Sequence, residues 1–374
     1  MNRFSVLIAG GGVAALEALL RLRRLAGDQV DITVLAPNED FVYRALSVQE
    51  PFSAGIPERY PVGPLLSDAG AEWVQDTLSS VDLGRRVVRT GGGAELHFDA
   101  LLVAVGARAK PVVEHARTFD DAHADEILRG VVQDIEGGYV RKLAFVNPSG
   151  PVWPLPLYEL ALMAAHAASD AGIDDMQIDL FTAESRPLPA FGATVGDEVE
   201  ALLEEAGIRF HASSEPKVVS TGHLITPDGT EMKVDSLIAM PRLTGPPVKG
   251  LPLGDHGFIT VDEHCEVPGT DHRVFAAGDA IDFPIKQGGV GSQAADVAAA
   301  AIARLAGLEN VPQVPFRPVV HGKLFTGRGP KFLFTRYVGG EGFDSVIADA
   351  PIGSTEKVTA AELTPYLHGA TASA

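Results

Sequence analysis

Apolar runs of strand length alternate along this chain with segments whose apolar residues recur at helical spacing. The run at 4–9 predicts the first strand, and a helix follows with apolar residues at Val13, Leu16, Leu19, Leu20 and Leu25. The same order returns later, where 143–146 predicts a strand, 157–168 a helix and 177–181 another strand. Because such alternation is typical of a parallel sheet covered by helices, the pattern predicts an α/β fold.

The two strand–helix–strand segments resemble each other, as the halves of a duplicated dinucleotide-binding unit would. "FSVLIAG", a helix and "DITVLAPNED" correspond to "KLAFVNP", a helix and "QIDLFTAESRPL". "EMKVDSLIAMP" then leads the chain back to the first unit. We therefore predict two Rossmann-like domains, one discontinuous at 1–111 and 244–315 and one inserted at 112–243, with a small C-terminal segment at 316–374.

Composition adds the class of protein and its surroundings. Apolar residues make up 46% of the 374 residues and charged residues 21%, which is typical of a globular protein. The net charge of −19 argues against nucleic acid and against an anionic membrane surface as partners. The start of the chain does not fit a signal peptide, and a short helical piece at 360–367 lacks the faces of a membrane anchor. We expect a cytoplasmic protein without a stable membrane anchor, and a homodimer is compatible with the sequence.

The turn after the first strand has the pattern G-x-G-x-x-A, with Gly10, Gly12 and Ala15. Gly10 allows a sharp bend, Gly12 lets backbone N–H groups approach a pyrophosphate, and Ala15 lets the helix pack closely on the strand. The alternative is a glycine-rich turn without a ligand. Strand, turn and helix stand here in the order that a dinucleotide site needs, so we predict such a site.

One residue of the usual dinucleotide pattern is missing. The second strand of such a domain normally ends in an acid that binds the adenosine ribose, and here Ala36 stands at that place. Asn38 and Glu39, slightly downstream, are the candidates for that contact.

A second piece of the predicted site lies far along the chain, in "HRVFAAGDAIDFPIKQGGVGSQAADVAAAAIARLAG". A strand at 273–276 ends at Gly278 and Asp279, and a long alanine-rich helix is predicted to start near Ser292. An aspartate at the end of a strand can bind cofactor hydroxyls, although capping of a turn is the alternative role for Asp279.

These pieces, together with "FDALLVAVGARAKP" around Gly106, resemble the flavoprotein family of pyridine nucleotide-disulfide oxidoreductases over roughly 4–340. Within it, "APNEDFVYRALSVQEPFSAG" and "HGKLFTGRGPKFLFTRY" are similar to segments of sulfide:quinone oxidoreductases and type II NADH dehydrogenases. The resemblance implies FAD in the discontinuous domain and NAD(P)H in the inserted one. It also implies that the enzyme is an oxidoreductase with a small-molecule donor and acceptor.

The resemblance also implies roles for individual residues. Arg44 joins the predicted FAD-binding residues, and Lys286 with the N–H groups of Gln287 and Gly288 is expected at the N1/O2 edge of the flavin. Glu159, in a "YELA" similar to the family's "VELA", is expected near flavin N5 as a proton relay or substrate-orienting acid. The alternatives are a solvated loop lysine at 286 and an acid favoured only by a helix dipole at 159.

The turn that should hold the second coenzyme departs from the family. Four prolines interrupt 147–156, Gly150 is its one glycine, and Trp153 adds bulk, so donors for a pyrophosphate are largely lost. The next strand ends at Thr182, with Glu184 two residues late for a ribose contact. NAD(P)H therefore stays open as a donor but is disfavoured. Trp153 and the proline after it are candidates either for an apolar wall facing a quinone-like ligand or for packing between domains.

The single cysteine excludes a dithiol mechanism, because Cys265 has no partner for a redox disulfide. No metal site is predicted, since the histidines lack ligand spacing. The sequence thus predicts an FAD-dependent oxidoreductase that passes electrons to an unidentified, quinone-like acceptor. The alternative hypothesis is a non-catalytic or sensory flavoprotein with a structural FAD and a protein partner.

Overall fold

The computed structural model describes residues 3–339 and 342–371. Its α-helices, in chain order, are α1 (Val13–Ala26), α2 (Val62–Asp68), α3 (Ala124–Glu136), α4 (Leu155–Asp170), α5 (Gly192–Glu205), α6 (Gly288–Leu305) and α7 (Leu363–Thr371). Within these described ranges, every helix is too short or too polar to span a lipid bilayer.

The strands number 23 in the described ranges. They are β1 (Phe4–Ala9), β2 (Val30–Leu35), β3 (Asp40–Val42), β4 (Arg59–Pro61), β5 (Glu72–Val74), β6 (Leu78–Asp82), β7 (Val87–Thr90), β8 (Glu95–His97), β9 (Ala100–Val103), β10 (Arg108–Lys110), β11 (Arg117–Thr118), β12 (Lys142–Asn147), β13 (Gln177–Thr182), β14 (Ile208–His211), β15 (Lys217–Ser220), β16 (His223–Ile225), β17 (Glu231–Lys233), β18 (Ser236–Ala239), β19 (Arg242–Thr244), β20 (Val274–Ala276), β21 (Val319–Phe325), β22 (Pro330–Gly339) and β23 (Gly342–Ala348).

The first parallel sheet has the order β20-β9-β1-β2-β5 and joins strands from distant parts of the chain. Its central strand β1 is apolar except for Ser5, and its last four residues are buried, which suits a strand covered on both faces. Helices α1 and α6 contribute their small and apolar residues to the same core cluster as β1 and β9. Two separated segments therefore build one core, as the discontinuous domain predicts.

The second parallel sheet has the order β11-β18-β12-β13-β14 and lies wholly between the two segments of the first. Helices α3, α4 and α5 pack with it in a second core cluster. The predicted α/β fold with two Rossmann-like units is confirmed. The limits at 111/112, 243/244 and 315/316 stay predictions.

An antiparallel meander of β21, β22 and β23 follows the first sheet's last helix. It packs against the inserted unit, because Thr335 donates a 2.7 Å hydrogen bond to the carbonyl of Phe191, the residue before α5. A side chain at Gly322 would meet the ring of Phe191 at 2.9 Å. The C-terminal part thus contacts the inserted unit closely.

Helix α6 begins at Gly288, four residues earlier than the predicted start near Ser292. The cause is the side chain of Gln287, which accepts a 2.9 Å hydrogen bond from the N–H of Val290 and caps the helix. Glutamine is not a preferred N-cap residue, so the glycine-rich sequence gave no signal for this start.

The last helix, α7, begins at Leu363, three residues later than the start of the predicted piece at 360–367, and an acid of α1 explains its position. The buried carboxylate of Glu17 accepts hydrogen bonds from the N–H groups of Glu362 at 2.9 Å and Leu363 at 2.7 Å. Arg21 and Arg24 pair with the carboxylate of Glu362 at 3.1 and 2.6 Å. Glu17 therefore caps α7 from another helix.

Asp296 of α6 completes this acid cluster. It lies 3.7 Å from Arg21, and burial, with the charges of Glu17 and Glu362, raises its pKa to about 7. Burial also raises the pKa of Glu17. Burial and mutual repulsion therefore favour the protonated form of Asp296 below about pH 7.

Replacing Asp296 by Asn tests whether this cluster makes stability depend on pH. The folded chain holds the Asp296 proton more tightly than the unfolded chain, so stability falls as the pH rises from its ordinary pKa of 3.8 towards about 7. We expect the stability of Asp296→Asn relative to wild type to grow by about 2 kcal/mol between about pH 5 and about pH 8. Calorimetry measures this, with the exposed Asp174→Asn as control. Parallel pH curves for wild type and Asp296→Asn would contradict it.

Candidate active site

The turn after β1 is built around Gly10. Its φ of +135° favours glycine, and a Cβ there would lie 2.2 Å from the carbonyl oxygen of Ala104. The N–H of Gly10 donates to the carbonyl of Leu35 at 2.9 Å. The bend that the sequence predicts therefore depends on close contact with the segment after β9, which contains Gly106 at φ +74°.

Gly12, unlike Gly10, has open space where a side chain would lie. It is the N-cap of α1 with extended backbone angles, and a Cβ there would meet nothing within 4 Å. The first hydrogen bond of α1 runs from the N–H of Leu16 to the carbonyl of Gly12, so the N–H groups from Val13 to Ala15 precede it. Open space faces a helix start whose donors suit an anion.

Asp279 and Gly278 lie beside this helix start. A Cβ on Gly278 would meet the Cβ of Ala14 at 3.0 Å, and one on Gly291 of α6 would meet the Cα of Gly278 at 3.0 Å. Desolvation, with the charge of Asp121, raises the pKa of Asp279 to about 6 against the opposing charge of Lys286. The structure thus brings together three segments that the sequence predicts from distant positions.

The segment after β2 is arranged differently from the two glycine turns. Ala36 is buried, and its Cβ lies 3.0 Å from the place of a Cβ on Gly11. Asn38 is exposed beside it. Arg44 pairs with Asp121, between β11 and α3, at 3.1 Å. Cofactor contacts by Asn38 and Arg44 stay predictions.

Lys286 is 5% exposed, so it is not a solvated loop lysine. Its ammonium donates to the backbone carbonyls of Asp279, at 3.3 Å, and Ile281, and lies 3.5 Å from the centre of the Phe258 ring. Burial lowers its pKa to about 8, against the charges of Asp279 and Asp282. The ammonium is held close to Asp279, and its role at the flavin stays a prediction.

Glu159 is fully buried in the second turn of α4 and forms an ion pair with Lys357. The Lys357 ammonium donates to both carboxylate oxygens at 2.7 and 2.6 Å, and the N–H of Phe325 donates at 3.1 Å. Burial raises the pKa of Glu159 and lowers that of Lys357, while each charge opposes the other's shift. Sequence reasoning missed Lys357, because no motif links "STEKVTA" to a residue 198 positions earlier.

Gln287 and Gly288 stand next to this pair. The Gln287 amide donates to the carbonyls of His321 and Lys357 at 3.1 Å each. A Cβ on Gly288 would meet the side chain of Val358 at 2.9 Å. The turn that leads into α6 is therefore in direct contact with the segment that carries Lys357, and the contacts of its N–H groups with flavin stay predictions.

The coenzyme turn of the inserted unit is closed by protein. Helix α4 starts after Pro154, whose carbonyl accepts a hydrogen bond from the N–H of Leu157 at 2.9 Å. Pro156 has no N–H, so a phosphate at this helix start would find few hydrogen-bond donors. Arg242 donates to the carbonyl of Ser149 at 2.9 Å and fills the space beside Gly150.

The two residues at the ribose position are also engaged. Glu184 accepts from Tyr158 at 2.7 Å, Thr182 at 3.1 Å and Asn147 at 3.2 Å, all on one carboxylate oxygen.

Trp153 packs against Phe191, with ring centres 6.0 Å apart. This contact is packing within the inserted unit.

Cys265 is buried at 0% exposure, and burial raises its pKa to about 12. A thiol with this pKa is not a nucleophile near neutral pH. The structure therefore agrees with a structural role for this cysteine.

The sequence profile described as pyridine nucleotide-disulphide oxidoreductase matches residues 4–132 and 158–303, which is most of the chain. The chain belongs to the pyridine nucleotide-disulphide oxidoreductase family. As a member of this family, the protein is an FAD-dependent oxidoreductase, so the predicted family, enzyme class and cofactor are confirmed. The family match gives no support to the alternative of a non-catalytic flavoprotein.

Individual relatives are similar at low identity. The mouse mitochondrial sulfide:quinone oxidoreductase is 24% identical over 110 residues, which are 28% of this chain and 23% of that enzyme. The solved sulfide:quinone oxidoreductase of Aquifex aeolicus superposes with a TM-score of 0.80 at 21% identity, covering 92% of this chain and 87% of that one. An NAD-dependent persulfide reductase from A. fulgidus superposes at 0.66 and 20% identity, covering 90% and 64%.

The residues of this oxidoreductase fit FAD in its first domain. The open space at Gly12, the N–H groups at the start of α1 and the adjacent Asp279 suit a pyrophosphate with neighbouring hydroxyl groups. We expect those residues to hold the cofactor. The inserted domain's turn, closed by Arg242 and by prolines, does not fit a second dinucleotide in the same way.

Substituting Gly12 and Gly10 separates cofactor binding from folding. Gly12→Val places a side chain in open space on permitted backbone angles, so the protein should fold. Because that space is the predicted place of the pyrophosphate, we expect the FAD absorbance per protein to be about tenfold lower than in wild type. Gly10→Val forces a clash with Ala104 and a strained φ, so we expect poor folding. Circular dichroism and the visible spectrum measure both, with Gly130→Val on α3 as control. Normal flavin content in Gly12→Val would contradict this assignment.

Proposed function

We propose that this protein passes electrons from a small-molecule donor through FAD to a quinone-like acceptor, without a thiol intermediate. The observation that carries the proposal is the buried Glu159–Lys357 ion pair beside the turn into α6. Reduction of a quinone to a hydroquinone takes up two electrons and two protons. Bound FAD would supply the electrons together with one proton, so the second proton needs a separate donor. Similarity to sulfide:quinone oxidoreductases supports the same class of acceptor.

Bound FAD would supply the two-electron chemistry, and the protein's own groups would handle protons and charge. Glu159 holds a proton more readily than an exposed glutamate, because burial disfavours its carboxylate. Lys357 stabilises the carboxylate left after proton transfer, and uptake of one proton from solvent restores the protonated acid. Lys286, held at Asp279, places a positive charge where we expect negative charge to develop on the cofactor.

The donor is not assigned by the inserted domain. The N–H groups and open glycine that exist at α1 are missing at α4, where Arg242 and prolines occupy the turn. This difference favours a donor other than NAD(P)H. The buried Cys265 supports a mechanism in which the donor is not attached to a cysteine.

Mixing experiments test the donor and the acceptor separately. We expect anaerobic addition of NADH or NADPH to leave the flavin band nearly unchanged over minutes, because the coenzyme turn is closed. We expect photoreduced protein to be reoxidised rapidly by a short-chain ubiquinone under argon. Stopped-flow absorbance at the flavin band measures both rates, and free FAD serves as control. Rapid bleaching by NADH, or reoxidation by quinone no faster than with free flavin, would contradict the corresponding half of the proposal.

Variants of the ion pair test the proton donor. We expect Glu159→Gln to slow quinone-dependent reoxidation by about 10²-fold or more and to abolish its decrease at high pH, because the titrating acid is gone. Lys357→Met should cost about 3–5 kcal/mol of stability at high pH, where it leaves a buried carboxylate unpaired.

The double variant Glu159→Gln/Lys357→Met separates folding from chemistry. It contains no unpaired buried charge, so we expect stability close to wild type while the reaction stays slow. Fast reoxidation in this double variant would exclude Glu159 as the proton donor.

Two further expectations from the sequence, a cytoplasmic location and a homodimer, also stay predictions. Cell fractionation and sedimentation velocity test them.

A further inference from the structure

The segment that carries Lys357 is fixed at three consecutive backbone carbonyls. Gln287 donates to the carbonyl of Lys357 at 3.1 Å, and Tyr43 donates to that of the next residue at 3.4 Å. Ser292 donates to the carbonyl of Thr359 at 2.9 Å. The position of this backbone therefore depends on side chains of the FAD-binding unit, whereas the ammonium of Lys357 reaches Glu159 of the inserted unit.

Gln287 differs from the other two donors because its whole amide is engaged. Its oxygen accepts from the N–H of Val290, and its nitrogen donates to the carbonyls of His321 and Lys357. The side chain is 7% exposed, and both N–H groups and the oxygen have partners. This pattern allows one orientation of the amide, so the first turn of α6 and the backbone of Lys357 are linked rigidly.

We propose that Gln287 is a positioning residue, whose side-chain amide sets the separation between the Lys357 ammonium and the Glu159 carboxylate. The inference rests on the proposed function of Glu159. If Lys357 moves away, less positive charge stabilises the carboxylate, so Glu159 keeps its proton to higher pH. A change in the turn at the start of α6 would thereby reach the proton donor through a single side chain.

The variant Gln287→Asn tests this link. Asparagine is a good N-cap residue and does not titrate, but it is one methylene shorter and cannot reach both carbonyls. The matched control is Gln293→Asn. Gln293 also links α6 to β21, with hydrogen bonds of 2.8 and 2.9 Å to the backbone of Val319, but it does not contact Lys357.

The main measurement is the pH dependence of reoxidation by a short-chain ubiquinone after photoreduction. We expect Gln287→Asn to retain FAD and to move the high-pH decrease upwards by about one pH unit, equivalent to a tenfold change in proton binding. We expect Gln293→Asn to leave the midpoint in place even if it lowers the melting temperature equally. An unmoved midpoint in Gln287→Asn, or an equal shift in Gln293→Asn, would overturn the proposal.

A second measurement does not depend on turnover. The infrared C=O band of the protonated carboxyl group, identified by its loss in Glu159→Gln, is titrated in the oxidised holoprotein. We expect the band to persist to higher pH in Gln287→Asn than in wild type. If Glu159→Gln keeps the wild-type pH profile of reoxidation, the proposed function fails. If Glu159→Gln abolishes that profile but Gln287→Asn shifts neither profile nor band, only the positioning role fails.

Discussion

The ion pair between Glu159 and Lys357 is the interaction on which the rest of the candidate site depends. Two buried charges are stable only when they stay close, because separation leaves each one desolvated without compensation. This requirement fixes the segment around Lys357 against the FAD-binding unit and against α4 at the same time. The cap that Glu17 provides for α7 holds the same segment a few residues further on. The C-terminal part therefore contributes residues to the candidate active site.

The two Rossmann-like units share one topology, but the residues at their helix starts suit different chemistry. At α1 the strand leads into an open glycine and free N–H groups, which suit a phosphate. At α4 the same layout leads into prolines, the guanidinium of Arg242 and a carboxylate already bonded by Tyr158. The backbone topology is retained because the core requires it, whereas the ligand site at each helix start depends on a few side chains.

The sequence predicted the parts of the site that depend on local backbone conformation. Gly10 and Gly12 are needed by a turn whose geometry involves near neighbours, so their spacing was informative. The ion pair was not predictable in this way, since Glu159 and Lys357 are 198 positions apart and meet only through the packing of three units. The early start of α6 was missed for a related reason, because Gln287 caps the helix in an orientation that carbonyls of the C-terminal part select.

The long separation of the ion pair has a consequence for biosynthesis. At roughly 5–20 residues per second, Lys357 leaves the ribosome about 10–40 seconds after Glu159. If the inserted unit packs around Glu159 in that interval, the carboxyl group has no cation beside it, and burial favours its protonated form. Arrival of Lys357 then lowers the pKa of this carboxyl group, so that its proton becomes easier to transfer. The pKa of one side chain would in this way report whether the newly made chain has completed its fold.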